Sequence, residues 1–430
     1  MRKFFLIFLL FLENMDDNFY RHLWVEEDNF LRCLRCGKCL SVCPLYQRSK
    51  RESLSPRGKI AILEKARDGA LPLDAVLAER MEHCLHCMRC RVDCPAGVDF
   101  PRLILSARAE LVAAGRLGTM KSLILRLLLK RGRLLPPFTE TTARLVSILD
   151  IIIPRTSRWR SLLPIPAGNN YRIFPRPKAK SFLAEYAGLH RAPGKSRGKV
   201  FYFVGCATNL VYTQIGVALI KLYNSMGYDV FISGEQGCCG FPALGYGDIA
   251  TARYRAGSLA KEVADSGSDA LVVACASCGH MFKEEYPRLG IKLSLPVYDS
   301  VEYLNTIDGR EFNRRTDLPR TVFHLPCHLG RGQGLTHLHQ KALAQRLGKN
   351  FLGAVLPEEC CGAGGTYHLK HYQMTRDMGE AKVRAMQDLG GELMVTSCPG
   401  CMLYLDEALT KAGMPTSRHI LEALAEGVEE

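Results

Sequence analysis

Three stretches, KVFYFVGC (199–206), GEQGCCG (234–240) and ALVVACASC (270–278), bring five cysteines into one figure: Cys206, Cys238, Cys239, Cys275 and Cys278. The figure returns in TVFHLPC (321–327), LGAVLPEECCG (352–362) and ELMVTSCPGC (392–401), as Cys327, Cys360, Cys361, Cys398 and Cys401. Matching cysteines are offset by 121, 122, 122, 123 and 123 positions, which is an internal duplication with almost no drift. Five thiols exceed what a mononuclear tetrahedral ion such as zinc uses. A polynuclear iron–sulfur centre is the natural consumer of five thiolates. Zinc held by four of the five is the competing reading of each repeat.

The residues around the cysteines predict the fold. KVFYFVG and ALVVA are apolar, β-branched and aromatic runs, as are TVF and ELMV, and they read as buried strands. Helical periodicity fills the intervals at 210–226, 248–265, 336–347 and 373–389. The β-α-β-α-β alternation predicts, in each repeat, a parallel sheet covered by helices. All five thiols then fall at C-terminal strand ends, the rim where open α/β sheets place ligands, so residues 72 apart in sequence can converge. Gly240 and Gly362 follow the paired cysteines, where a missing Cβ would let the backbone approach a bulky inorganic core. His280, His324 and His328 lie near these thiols in sequence and are candidates to orient or hydrogen-bond them.

Upstream stand two further runs, CLRCGKCLSVCP (33–44) and CLHCMRCRVDCP (84–95). Each is C-x-x-C-x-x-C-x-x-x-C-P, the spacing of two-cluster ferredoxins, in which the fourth cysteine of one run serves the other cluster. That rule assigns Cys33, Cys36, Cys39 and Cys94 to one [4Fe–4S] cluster, and Cys84, Cys87, Cys90 and Cys43 to a second. The spacer RGKIAILEKARDG and LDAVLAERM is helical in period, with Gly69 as a stop, so this region reads as all-α. His83 and His86 flank the second run and read as packing or surface residues.

All 18 cysteines belong to these motifs, and the chain of 430 residues has 47% hydrophobic and 23% charged residues. A chain that can build its own cores does not need a disulfide framework, so the thiols are expected to be free for metal. The net charge of +14 is concentrated: residues 121–199 hold 17 lysines and arginines against Glu140, Asp150 and Glu185. No base-reading motif accompanies that stretch, so nucleic acid is not expected as a partner. Its basic, leucine-rich sequences at 123–135 and 143–154 and the prolines after them read as short helices and a linker facing an acidic partner or anionic lipid. MRKFFLIFLLFLEN (1–14) has an apolar run too short to span a bilayer and no small-x-small cleavage site. It reads as a weak anchor, or as sequence upstream of a true start at Met15. The expected division is a leader at 1–22, a ferredoxin domain at 23–118, a basic linker at 119–198 and cysteine-rich domains at 199–305 and 318–425.

Two ferredoxin runs followed by two CCG/C-x-x-C units resemble the iron–sulfur subunit of glycolate oxidase and of related lactate dehydrogenases. The resemblance covers roughly residues 28–425. It implies an α-helical ferredoxin domain and two tandem CCG domains. The same unit occurs in a heterodisulfide reductase subunit and in a subunit of anaerobic glycerol-3-phosphate dehydrogenase. In the heterodisulfide reductase relative the five CCG cysteines hold a noncubane [4Fe–4S] cluster. Carried over, that implies two cubane clusters and one or two noncubane ones, with the ten CCG cysteines named above as ligands. Glycolate oxidase subunits often lack terminal C-x-x-C thiols; both sets are complete here, which keeps lactate-type and heterodisulfide-type relatives in view. The resemblance implies an oxidoreductase subunit acting on CH–OH donors with a non-nicotinamide acceptor. By that resemblance an FAD-containing partner would oxidise the hydroxy acid and this chain would pass electrons to a quinone or other acceptor. Gly362, Gly364 and Gly365 do not make a dinucleotide fingerprint, so the organic chemistry falls to the partner. The expected location is cytoplasmic, peripheral on the inner face of the membrane.

Overall fold

The computed structural model describes residues 27–117, 173, 175–307, 314–315, 317–365 and 367–428. The expectations for the leader at 1–22 and for helices at 123–135 and 143–154 fall outside them. Among the described residues no helix is long and apolar enough to cross a membrane.

Residues 27–117 are helical, as the spacer periodicity implied. Ser55 caps the helix Pro56–Arg67 by accepting from the Gly58 N–H at 3.0 Å, with Pro56 at the first position. Asp74 does the same for Ala75–Glu82 through the Leu77 N–H at 2.8 Å. A third helix, Phe100–Ala113, was not read from the sequence; it buries Leu103, Ile104, Ala107 and Leu111 against Ile60, Leu63, Leu77 and Met81.

Two α/β units follow. In the first, β1 (Gly188–His190), β2 (Gly198–Phe203), β3 (Tyr228–Ile232), β4 (Ala270–Val273) and β5 (Val297–Asp299) pair in the order β1-β3-β2-β4-β5. In the second, β6 (Thr321–His324), β7 (Phe351–Ala354), β8 (Leu393–Thr396) and β9 (Arg418–His419) pair in the order β7-β6-β8-β9, all parallel. With β1 set aside, both sheets run second-first-third-fourth, so the duplication in sequence is a duplication of topology. Its switch point lies between the first and third strands, where such sheets bind their ligands. Strand β1 is an antiparallel edge, paired with β3 through Gly188↔Ile232 and supplied by the end of the stretch read as a linker.

Alternation of side chains explains why β2 is apolar throughout. Val200 and Tyr202 face one core, Phe201 and Phe203 the other. The first of these cores continues without a break into β6 and β8 of the second unit through Val322, Phe323, Met394 and Val395, so the two units share an interior. Helix Thr213–Ser225 of the first unit packs on helix Ile420–Ala425 of the second. Polar ties cross the same boundary. The Tyr212 hydroxyl donates to Asp406 at 2.7 Å, and the buried His339 Nε2 lies 2.9 Å from Asp299 Oδ1. Burial pushes the Asp299 carboxyl up, but the His339 imidazole and the Val301 N–H together hold it below its ordinary value.

Removing one partner of that pair strands the other. His339→Leu is expected to lower unfolding stability by about 3–5 kcal/mol near neutral pH, measured by denaturant unfolding. A group held below its ordinary value stabilises above that value and loses its contribution as pH falls through the lowered one. The difference between wild type and variant is therefore expected to shrink on acidification.

Candidate metal centres

Both ferredoxin runs wrap in the same way. Arg35 (φ 51°) and Gly37 (φ 82°) bracket Cys36, and His86 (φ 53°) and Met88 (φ 59°) bracket Cys87. The paired left-handed residues turn the chain around each central cysteine, and Met88 adopts without glycine a conformation that L-residues resist. Pro44 then opens a helix directly after Cys43, fixing that thiol at the turn.

The exchange of fourth cysteines has a geometric counterpart. Cys43, Cys84, Cys87 and Cys90 line one small cavity, with Lys59 and His83 in its wall. Burial pushes the Cys43 and Cys90 thiols up, and the neighbouring cysteines add to it: Cys84 beside Cys43, and Cys87, Cys84 and Cys43 beside Cys90. In the other set, Cys33 lies in electrostatic reach of Cys39, while Cys94 accepts the Val98 N–H at 3.4 Å. Cys33 and Cys94 pack on the same helical core, and Cys36 is exposed.

In the first α/β unit a chain of thiol contacts runs Cys206–Cys238–Cys239–Cys278–Cys275. In the second it runs Cys327–Cys360–Cys361–Cys401–Cys398, with 3.5 Å between the Cys361 and Cys401 sulfurs. Thiols donated by Cys238 and Cys278 hold Cys239 down at about 6 against the effect of burial, and Cys360 and Cys401 hold Cys361 at about 5. Most of the others are driven up by contact with neighbouring thiols, then by burial and like charge. A backbone N–H reaches the first sulfur of each pair: Gly240 to Cys238 and Gly362 to Cys360, both at 3.4 Å.

The two sets also touch each other, because Cys275 and Cys398 are in side-chain contact. All ten thiols line a single cavity of about 340 Å³. The cavity forms where helix Ala276–His280 crosses helix Cys327–Gln333, an approach allowed by Gly279 and Gly332. Gly240 and Gly362 also have a packing role. Both sit at positive φ (92° and 101°), and an added Cβ would press on the Ala252 and Thr375 carbonyls. They let the cysteine loop close on the following helix.

Five contacting thiols per set fit an iron–sulfur core better than a single ion. Ten cysteines packed together cannot all ionise in a poorly solvated cavity, and a multivalent metal core is what deprotonates such ligands. Among the described residues all 18 cysteines are free. Buried cations line these sites, and the sequence reading missed them. The Lys59 ammonium donates to the Leu54 carbonyl at 3.2 Å and to the His83 carbonyl; burial lowers it to about 8, against the pull of Cys84 and Cys43. The Arg255 Nε donates to the Cys238 carbonyl at 3.2 Å, and Lys382 to the Val355 and Leu356 carbonyls. The Arg331 Nε donates to the Cys87 carbonyl at 2.8 Å and its guanidinium contacts Cys327, so it spans a ferredoxin thiol and a CCG thiol. A signal existed for Lys59 and Lys382. Each falls in the apolar stripe of its helix, Lys59 with Leu63 and Ala66, Lys382 with Thr375 and Met386.

The histidines divide. His83 Nδ1 pairs with the Tyr367 hydroxyl at 2.8 Å. His280 and His328 stack with centroids 5.1 Å apart, and His328 reaches Ser277 Oγ at 2.8 Å, itself 3.7 Å from the Cys398 sulfur. His324 is buried beside Cys361 and Cys401.

Comparison with known proteins agrees with this anatomy. A 4Fe-4S dicluster domain matches residues 29–98, and a cysteine-rich domain (CCG) matches twice, at 200–283 and 321–406. The chain is an iron–sulfur protein built from these domains and is similar along most of its length to iron–sulfur subunits of oxidoreductases. It is 26% identical over 422 residues to the glycolate oxidase iron-sulfur subunit of Escherichia coli (strain K12), covering 94% of this chain and 96% of that one. Against the probable glycolate oxidase iron-sulfur subunit of Bacillus subtilis (strain 168) it is 24% identical, covering 91% of each chain. Against a subunit of the anaerobic glycerol-3-phosphate dehydrogenase of Escherichia coli (strain K12) it is 25% identical, covering 89% of this chain and 95% of that one. These relatives are named as subunits of oxidases or dehydrogenases.

Lys59→Met is expected to leave the Leu54 and His83 carbonyls unsatisfied and cost roughly 1–3 kcal/mol for each. The check is denaturant unfolding of the variant against wild type under anaerobic conditions.

Proposed function

We propose that this chain is the iron–sulfur subunit of a flavin-dependent 2-hydroxy-acid dehydrogenase, with glycolate or lactate as the donor oxidised on an FAD-bearing partner. In this reading Cys33, Cys36, Cys39 and Cys94 hold one [4Fe–4S] cluster, and Cys84, Cys87, Cys90 and Cys43 hold the next. The sets Cys206, Cys238, Cys239, Cys275, Cys278 and Cys327, Cys360, Cys361, Cys398, Cys401 hold noncubane [4Fe–4S] clusters. When bound, such clusters carry single electrons, here between the flavoprotein and a quinone-type acceptor.

The observation that carries the reading is the order of the thiol sets. The exposed Cys36 marks one end. The second ferredoxin set lies against the second CCG set: Cys327 is in electrostatic reach of Cys87, and Arg331 bridges them. Burial first and Cys327 second push the Cys87 thiol up to about 12. The second CCG set then meets the first at Cys398 and Cys275. Four sets thus stand in one continuous sequence through the protein, as an internal relay needs. The basic stretch 121–199 supports peripheral contact with an anionic membrane face on the cytoplasmic side, where a quinone would be reached.

A second reading draws on one feature. Both CCG sets are complete and share one cavity, which suits a heterodisulfide reductase-type subunit that reduces a disulfide there.

The deciding experiment is anaerobic copurification of the full complex followed by addition of glycolate or lactate. Reduction of the clusters by either hydroxy acid, seen by visible absorption and paramagnetic resonance, is expected. Disulfide turnover by the isolated chain with no response to a hydroxy acid would favour the second reading. Within the first reading, Arg331→Met is expected to keep its iron content and slow acceptor reduction by roughly 10–100-fold, measured in the reconstituted complex.

A further inference from the structure

His324 ends β6, is 0% exposed, and neither ring nitrogen has a hydrogen-bond partner among the described residues. An imidazole left that way keeps a desolvated donor and acceptor unsatisfied, so a partner outside the protein atoms is called for. Its ring nitrogen and the Cys361 and Cys401 sulfurs all lie within 4.8 Å of one another. The imidazole is therefore aimed at the second CCG site.

The matching position of the first repeat carries no imidazole. Three residues before Cys327 stands His324, and three before Cys206 stands Phe203. Phe203 packs edge-on to Phe282 with centroids 4.9 Å apart. The cations differ as well, Arg255 serving the first set and Lys382 and Arg331 the second, so only variants at position 324 isolate the effect of the ring. The imidazole is thus one polar difference between the two sites; the buried Tyr202 hydroxyl near Cys275 and Cys278, where the second repeat has Phe323, is another.

Iron ligation and hydrogen bonding are the two uses of such a ring. A ligating histidine holds its second ring N–H on an acceptor, and no acceptor among the described residues reaches His324. Five thiols already occupy the site. A hydrogen bond needs only one ring nitrogen, and donors to cluster sulfur stabilise the more negative, reduced form.

We propose that His324 donates its ring N–H to sulfur of the iron–sulfur centre held by Cys327, Cys360, Cys361, Cys398 and Cys401, placing that centre at a higher reduction potential than its twin in the first repeat. The inference rests on both CCG sets holding iron–sulfur clusters. Because this set adjoins the ferredoxin thiols through Cys87 and Arg331, it becomes the point where electrons collect. His324 is then a positioning and tuning residue of the relay.

The test uses the full chain prepared anaerobically as wild type, His324→Phe, which copies the first repeat, and His324→Gln, which keeps an N–H donor. Iron and acid-labile sulfide are counted first, then the centres are titrated under paramagnetic resonance. Wild type is expected to show two CCG signals at different potentials. In His324→Phe, with iron and sulfide unchanged, the higher signal moves down towards the other, and His324→Gln restores part of the difference. Unchanged midpoints in His324→Phe overturn the proposal. So does an equal shift in both variants, or loss of one centre's iron, which would make the residue a ligand. Should His324→Phe fail to fold, His324→Gln with full iron carries the test. A higher midpoint that moves part of the way down then supports the proposal; one that stays in place, or two wild-type CCG signals at one potential, overturns it. Wild-type CCG sets without iron or sulfide would instead remove the reading on which the proposal stands.

Discussion

The contact between Cys275 and Cys398 is the constraint around which the protein is arranged. Two α/β units of the same strand order turn the C-terminal ends of their central strands towards one another, and ten thiols meet in one cavity. Such a concentration of sulfur has no purpose as a hydrophobic core, since the thiols occupy cavity wall and leave volume between them. It also has no independent route to ionisation. Only Cys239, Cys361 and Cys398 are held down, each by contact with neighbouring thiols, while thiol contacts of the opposite sense and then burial drive the rest up. A metal core that takes the protons' place resolves both features at once.

Around that centre the fold supplies rigidity and positive charge. A shared core, the Tyr212–Asp406 bond and the His339–Asp299 pair fix one unit against the other. Arg331 pairs with Glu358 at 3.5 Å, whereas Lys59, Arg255 and Lys382 point their cationic ends at carbonyls beside the thiols rather than at carboxylates. Their charge is therefore not cancelled locally and remains to offset anionic clusters. The ferredoxin region is held to the first unit by Arg108, which donates to the Gly245 carbonyl at 2.6 Å and to the Cys84 carbonyl at 3.3 Å. It is held to the second by His328, whose Nε2 donates to the His86 carbonyl at 3.0 Å. The same side chains that join the domains thus flank the thiol sets.

Much of this was legible in the sequence, for physical reasons that also mark where legibility ended. Strands β2, β4, β6 and β8 are buried on both faces and so announce themselves as unbroken apolar runs. Strands β5 and β9, three and two residues long, carry too little pattern to be read, and β1 hides in a proline- and glycine-containing stretch. Cysteine spacing fixed which thiols belong together within each repeat, because strand ends in a parallel sheet lie side by side. It said nothing about the meeting of the two repeats, which depends on how helices Ala276–His280 and Cys327–Gln333 cross. Lys59 reads as a solvated charge until its register with Leu63 and Ala66 is noticed, and Gly240 and Gly362 reflect left-handed backbone and helix packing.

The most direct measurement of the central claim is metal and acid-labile sulfide content of the anaerobically purified full chain, with paramagnetic resonance of the reduced protein. Four centres of four irons give an expectation of about 16 iron and a similar number of sulfides per chain, with signals of two kinds from the ferredoxin and CCG sets. A folded, active protein that holds zinc and no sulfide at the ten CCG cysteines would contradict it.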